Sequence, residues 1–170
     1  MKKNIVLIGF MGTGKTTVSK KLSEMLDIKE IDVDAYIVER EQKSINDIFK
    51  EQGEEGFRDI ETASLDEIKN EKGIISCGGG AVLRDKNVEI LKTNGKIVLL
   101  TATPQTIYER VKDDDSRPLL KGNMNVDHIK MLMDRRKDRY IEVADVVIET
   151  DNKDVDEIAA EIIEYMGNNS

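Results

Sequence analysis

Gly9-Phe10-Met11-Gly12-Thr13-Gly14-Lys15-Thr16 reads G-x-x-x-x-G-K-T, the phosphate-binding P-loop pattern. Its flanks agree with it. Ile5-Val6-Leu7-Ile8 is a short aliphatic run ending at Gly9, as a buried parallel strand ends. From Thr16 to Leu26, apolar residues fall at Val18, Leu22, Met25 and Leu26, which is helical spacing. Glycines let backbone N–H groups turn inward around a polyphosphate, and the helix N-terminus adds partial positive charge. In this pattern Lys15 reaches the β- and γ-phosphates and the Thr16 hydroxyl serves Mg²⁺.

Outward from this loop, strand-like and helix-like stretches alternate. Further strands are expected at Lys29–Asp34, Gly73–Cys77, Lys96–Leu100 and Asp145–Glu149. Between them, helices are expected over Ala35–Arg40, from an N-cap at Ser44, over Glu54–Asn70, Val88–Leu91, Pro104–Lys112 and Val126–Glu142. Val155–Met166 closes the chain as a helix, and the polar stretch Asp113–Asn125 reads as a loop. This alternation predicts an α/β fold with a parallel sheet covered on both faces. In such a sheet the ligand lies beyond the carboxyl ends of the strands. The P-loop, Asp32 and Asp34, Gly78-Gly79-Gly80, Thr101-Ala102-Thr103 and Thr150-Asp151-Asn152-Lys153 all follow strands at that edge.

The chain has 170 residues and a formal charge of −8, and no Pro/Gly-rich linker divides it, so a single domain over 1–170 is expected. The negative balance, with charges interspersed, disfavours nucleic acid as a partner. The apolar run Ile5–Ile8 is too short for a signal segment, and no stretch is long enough to span a membrane. Cys77 is the only cysteine, which excludes an intrachain disulfide and suits a reducing cytoplasm.

Several residues outside the P-loop invite chemistry. Asp32 and Asp34 close the second expected strand; one acid can hold Mg²⁺ and the other can accept a substrate hydroxyl and its proton. The plain alternative is a pair of solvated, helix-capping acids. Gly78-Gly79-Gly80 allows close backbone approach to a small ligand, or is simply a turn. Arg58 stands three residues before Glu61, which falls on the apolar stripe between Phe57 and Leu65. A charge there needs a partner, although exposed pairs of this spacing are common. Arg136 sits within the stripe Ile129, Leu132, Met133 and Tyr140. It either snorkels to solvent or meets an anion, and its planar fork suits a carboxylate. Arg117, in the polar loop, is placed to bring charge to a transferring phosphoryl group.

Taken together these residues resemble the shikimate kinase family over essentially the whole chain. The resemblance rests on Gly9-x-x-Gly12-x-Gly14-Lys15-Thr16, Asp32-Val33-Asp34, Arg58-x-x-Glu61 and Ile74-Ile75-Ser76-Cys77-Gly78-Gly79-Gly80-Ala81-Val82. It continues in Arg117-Pro118-Leu119-Leu120 and in Arg136 four residues before Tyr140. It implies a three-layer α/β/α sandwich of the P-loop kinase fold, with five parallel strands in the order 2-3-1-4-5. A mobile lid would span about 112–124, and substrate-binding helices about 34–70. It implies an ATP- and Mg²⁺-dependent, monomeric, cytoplasmic enzyme that phosphorylates the 3-hydroxyl of shikimate in aromatic amino-acid biosynthesis. By the same resemblance Gly12, Thr13, Gly14, Lys15, Thr16 and Thr17 hold ATP, with Arg110, Arg117 and Lys153. Thr16 and Asp32 serve the metal; Asp34, Arg58, Gly79, Gly80 and Arg136 bind shikimate; Lys15, Asp34 and Arg117 act in catalysis. The chain departs from the pattern at Lys137-Asp138-Arg139, where the family often has a proline and an aliphatic residue, and at Asp151-Asn152-Lys153.

Kinases of gluconate or nucleoside monophosphates share a P-loop and a lid. They give no reason for Arg58, the glycine run and Arg136 to meet. A GTP-binding switch protein is a second alternative; Asn152-Lys153 starts a guanine-reading pattern, but Val155 stands where the acid belongs. A third, a nucleic-acid-binding ATPase, is opposed by the charge of −8.

Overall fold

The fold is seen in a computed structural model, which describes residues 3–112 and 125–168. Most of the expected lid, Arg117 included, lies outside the described residues. Strand β1 (Asn4–Ile8) pairs in parallel with β3 (Gly73–Ser76) on one side and β4 (Gly95–Thr101) on the other. Strands β2 (Lys29–Asp32) and β5 (Val146–Glu149) add the two edges, giving the order β2-β3-β1-β4-β5. The expected five-stranded parallel sheet and its order are therefore present.

Alternation along β1 explains the layering, because successive side chains point to opposite faces. Ile5 and Leu7 enter a core with Val18 and Leu22 of α1 (Lys15–Leu26) and Ile158 and Ile162 of α7 (Val155–Asn168). Val6 and Ile8 enter the other core. There they meet residues of α2 (Val33–Glu41), α3 (Ile45–Ile68), α4 (Asp85–Asn94), α5 (Pro104–Val111) and α6 (Val126–Val143). Ile5, Val6 and Leu7 are wholly buried, each side chain worth roughly 1.5–3 kcal/mol of transfer free energy. With both faces covered, the strand–helix connections must run past the sheet's ends, and the loops after each strand gather at the carboxyl edge.

Helix starts follow local capping chemistry. Ser44 accepts from Asp47 N–H, Thr103 from Thr106 N–H with Pro104 beside it, and Asn125 from His128 N–H. The second strand corrects the sequence reading. It stops at Asp32, whose carboxylate accepts from Ala35 N–H at 3.1 Å and so caps α2. Asp34 therefore lies in the first turn of α2 and not at a strand end. The chain bends within α3 at Gly53, where φ is 71°.

Candidate active site

The P-loop links the central strand to α1. Gly14 sits at the N-cap with φ 95°, a left-handed conformation glycine adopts without strain. No side chain at that cap bonds the helix's first N–H groups, which is the arrangement that receives phosphate. Lys15 Nζ donates to Gly9 O at 2.7 Å and Phe10 O at 3.1 Å, so its ammonium is held over the loop. Thr16 and Thr17 follow on the exposed first turn of α1, and Thr13 is buried with its hydroxyl on Phe10 O. Arg110, from α5, donates to Gly12 O at 2.9 Å and Thr150 Oγ1 at 3.3 Å, joining the P-loop to the end of β5. Lys153 pairs with Glu161 of α7 at 3.0 Å, which ties its loop to that helix.

The second cluster surrounds the glycine run after β3. A Cβ at Gly78 would lie 3.2 Å from Asp34 Oδ1, and one at Gly79 would lie 2.7 Å from Arg136 Nη1. One at Gly80 would fall inside the Arg58 guanidinium. A side chain at Gly79 or Gly80 would push these guanidiniums aside, so their present approach depends on glycine. The same Gly79 position is 3.8 Å from Gly9 O, which sets this cluster directly against the P-loop. Three side chains from α2, α3 and α6 thus meet one backbone segment at the sheet's carboxyl edge.

Such a site offers two guanidiniums for an anion, a carboxylate for a hydroxyl, and donors for a polyphosphate alongside. The family model that matches the sequence is that of shikimate kinase, over residues 11–167. The chain belongs to the shikimate kinase family. It is thus a phosphotransferase of the shikimate pathway, part of aromatic amino-acid biosynthesis, and as a kinase it uses ATP. The shikimate kinase of Geobacter sulfurreducens is 41% identical over 165 residues, 96% of this chain and 91% of that one. The structure of the Acinetobacter baumannii shikimate kinase in complex with shikimate superposes with a TM-score of 0.91 at 35% identity. It covers 99% of this chain and 94% of its own. A gluconokinase from Sinorhizobium meliloti aligns with a TM-score of 0.64 at 16% identity, over 98% of this chain and 93% of that one, which shows a shared fold alone.

In this shikimate kinase, Arg58 Nη1 donates to Glu61 Oε1 at 2.9 Å, the pairing that the spacing predicted. It is no exposed pair: the Glu61 side chain is 1% exposed and that of Arg58 12%. Arg58 also lies over the Phe57 ring, 5.2 Å from its centroid. Glu61 Oε2 is buried with no hydrogen-bond partner among the described residues. Burial pushes the Glu61 carboxyl above the ordinary glutamate value, the Arg58 charge opposes this, and the Asp34 charge adds to it. An acid whose folded pKa is raised favours folding at low pH, and that advantage fades as pH rises through the folded value. Wild type is therefore expected to lose stability relative to Glu61→Gln as pH increases from the ordinary glutamate range. Urea unfolding of both proteins across pH 4 to 8 measures this, and parallel curves would contradict it.

Three partners of the glycine segment were not among the site residues expected from the sequence. Tyr140 counts there as part of an apolar stripe, yet its hydroxyl donates to Gly79 O at 2.5 Å. Asn87 is fully buried, with Nδ2 on Ala81 O and Oδ1 accepting from Thr62. Arg139 reaches Val82 O at 2.7 Å. Its place three residues after Arg136, on the same helix face, was the one available clue.

Proposed function

We propose that this chain transfers the γ-phosphoryl group of ATP to the 3-hydroxyl of shikimate, giving shikimate 3-phosphate and ADP. The observation that carries the reading is the meeting of Asp34, Arg58 and Arg136 at Gly78–Gly80 beside the P-loop. Arg136 and Arg58 grip the acceptor's carboxylate, with Gly79 and Gly80 giving it a close backbone wall. Glu61 keeps the Arg58 fork from rotating away. Asp34 orients the hydroxyl and takes its proton as the hydroxyl oxygen bonds to phosphorus. The bond from the γ-phosphorus to the β,γ-bridging oxygen breaks, and its electron pair leaves with ADP.

On the nucleotide side, the loop N–H groups from Gly12 to Thr17 and the Lys15 ammonium receive the phosphates. Arg110 braces the loop at Gly12, and Lys153 borders the nucleotide from the loop after β5. The resemblance gives Arg117 the role of a lid cation at the γ-phosphate. The Thr16 hydroxyl and the Asp32 carboxylate are hard oxygen donors of the kind Mg²⁺ takes, and they fit that ion. Bound there, Mg²⁺ would neutralise phosphate charge. The resemblance gives a single chain as the active unit.

ADP release with shikimate, quinate, gluconate and nucleoside monophosphates offered in parallel tests the reading. Shikimate is expected to support turnover far above gluconate or nucleotides, and the reverse ranking would overturn it. Arg136→Lys keeps the charge and loses the fork. Its shikimate KM is expected to rise ~10–100-fold, about 1.4–2.8 kcal/mol of charge-assisted hydrogen bonding, with the ATP KM nearly unchanged. An equal rise for both substrates would remove Arg136 from the carboxylate site.

A further inference from the structure

The segment from Gly78 to Val82 is pinned by its carbonyl oxygens. Gly78 O accepts from Ala81 N–H at 3.1 Å and Gly80 O from Leu83 N–H at 3.2 Å. Gly79 O accepts from Tyr140, Ala81 O from Asn87 and Val82 O from Arg139. A planar peptide fixes each N–H opposite its carbonyl. Pinning Gly78 O and Gly79 O therefore aims the N–H groups of Gly79 and Gly80 away from those partners. Neither of these N–H groups makes a hydrogen bond among the described residues.

Arg139 holds a key point in this chain of peptides. Its Nε fixes Val82 O at 2.7 Å, and the same peptide plane carries the Leu83 N–H that closes on Gly80 O. The guanidinium therefore acts on Gly80 through one rigid peptide and one hydrogen bond. Its other nitrogens meet Asp85 at 2.6 Å and Glu142 at 3.3 Å. Those acids are 94% and 69% exposed, and surface pairs of that kind contribute little. The inward bond to Val82 O is charge-assisted and belongs to a side chain only 20% exposed. Arg136 stands three residues earlier on α6 and Tyr140 one residue later, so one helix carries both an anion-gripping fork and two clamps on the facing turn.

We propose that Arg139 is a positioning residue for the acceptor: through Val82 O it holds the glycine turn in register with Arg136. This rests on the reading of Arg136, Gly79 and Gly80 as acceptor-binding groups. A loosened turn disturbs acceptor placement while the P-loop, on another strand, keeps its nucleotide geometry.

The test compares steady-state kinetics and melting temperature for wild type, Arg139→Leu, Arg139→Lys and Asp85→Asn. Arg139→Leu is expected to raise the shikimate KM roughly 5–20-fold, with kcat and the ATP KM within about 2-fold of wild type. Arg139→Lys, which can still place one charged donor on Val82 O, is expected to recover most of that loss. Asp85→Asn removes only the exposed ion pair and is expected to match wild type. A Leu variant with a normal shikimate KM overturns the proposal, as does one that weakens ATP equally or a Lys variant without rescue. An Asp85→Asn variant that reproduces the Leu effect overturns it too, by assigning the effect to the ion pair. If the Leu variant does not fold, Arg139→Met keeps the length and removes every donor; an unchanged shikimate KM there sinks the proposal and a selective rise supports it. Wild type that shows no saturable dependence on shikimate would instead refute the underlying site reading, and with it this inference.

Discussion

Lys15→Ala is expected to lower kcat by ~10²-fold or more, about 2.7 kcal/mol of transition-state stabilisation, in a protein that still folds. Charge on the transferring phosphoryl group spreads over its outer oxygens as the bridging bond lengthens, and a fixed cation is worth more there than in the ground state. Gly9 O and Phe10 O hold the ammonium at the loop, at 2.7 and 3.1 Å, beside the phosphates the loop is proposed to receive. The variant keeps the loop's other fastenings: Thr13 N–H and the Thr13 hydroxyl remain on Phe10 O, and Val18 N–H remains on Gly14 O. Its melting temperature should therefore stay within roughly 4 °C of wild type, the shift of about 1 kcal/mol in a chain of this size. Coupled ADP-release kinetics at saturating shikimate measure kcat and the ATP KM together. If only the ATP KM changes, Lys15 binds ground and transition states alike and the catalytic assignment falls.

What could be read in the sequence was local. The run Ile5–Ile8, the P-loop glycines and the helical spacing from Val18 to Leu26 each determine their conformation within a few residues, and all three stand as expected. The Ser44 cap was legible for the same reason. The strand order β2-β3-β1-β4-β5 depends on pairings such as Ile5 with Ile74 and Val6 with Ile97, which no local pattern encodes; only the family resemblance supplied it. Asp34 was misplaced by a competition between two local signals. The apolar–polar alternation over Lys29–Asp34 favours extension, but Asp32 captures Ala35 N–H and starts α2 at once. Arg58 and Arg136 were visible as anomalies, a charge pair on an apolar stripe and a cation in another. Their meeting at Gly79 and Gly80 is a tertiary fact. Tyr140, Asn87 and Arg139 were harder still, because each acts on a backbone carbonyl, and carbonyls carry no sequence signature.

Asp34→Asn is expected to cut kcat ~10²–10⁴-fold, the range that a positioned acid or base contributes, while the ATP KM stays within about 3-fold. The side chain stands in the first turn of α2 with Oδ1 3.2 Å and Oδ2 3.5 Å from the Cβ position of Gly78. That places its carboxylate against the glycine run that Arg58 and Arg136 also meet. Asparagine keeps the shape and one acceptor oxygen but can take no proton. The stability cost is small by comparison. A first-turn acid gains roughly 0.3–1 kcal/mol from the helix dipole, and α2 keeps its Asp32 cap. A second variant separates the two ways in which Asp34 can act. Asp34→Ala removes both the charge and the acceptor oxygen. If Asp34 chiefly orients the hydroxyl, Asn should retain much more activity than Ala, because its amide oxygen still accepts the hydroxyl's hydrogen bond. If it takes the proton, Asn and Ala should fall to similar levels, since neither is basic enough to do so. Near-native turnover in Asp34→Asn would exclude the base role. Near-native turnover in both variants would remove Asp34 from the reaction and leave the two guanidiniums to position the acceptor alone.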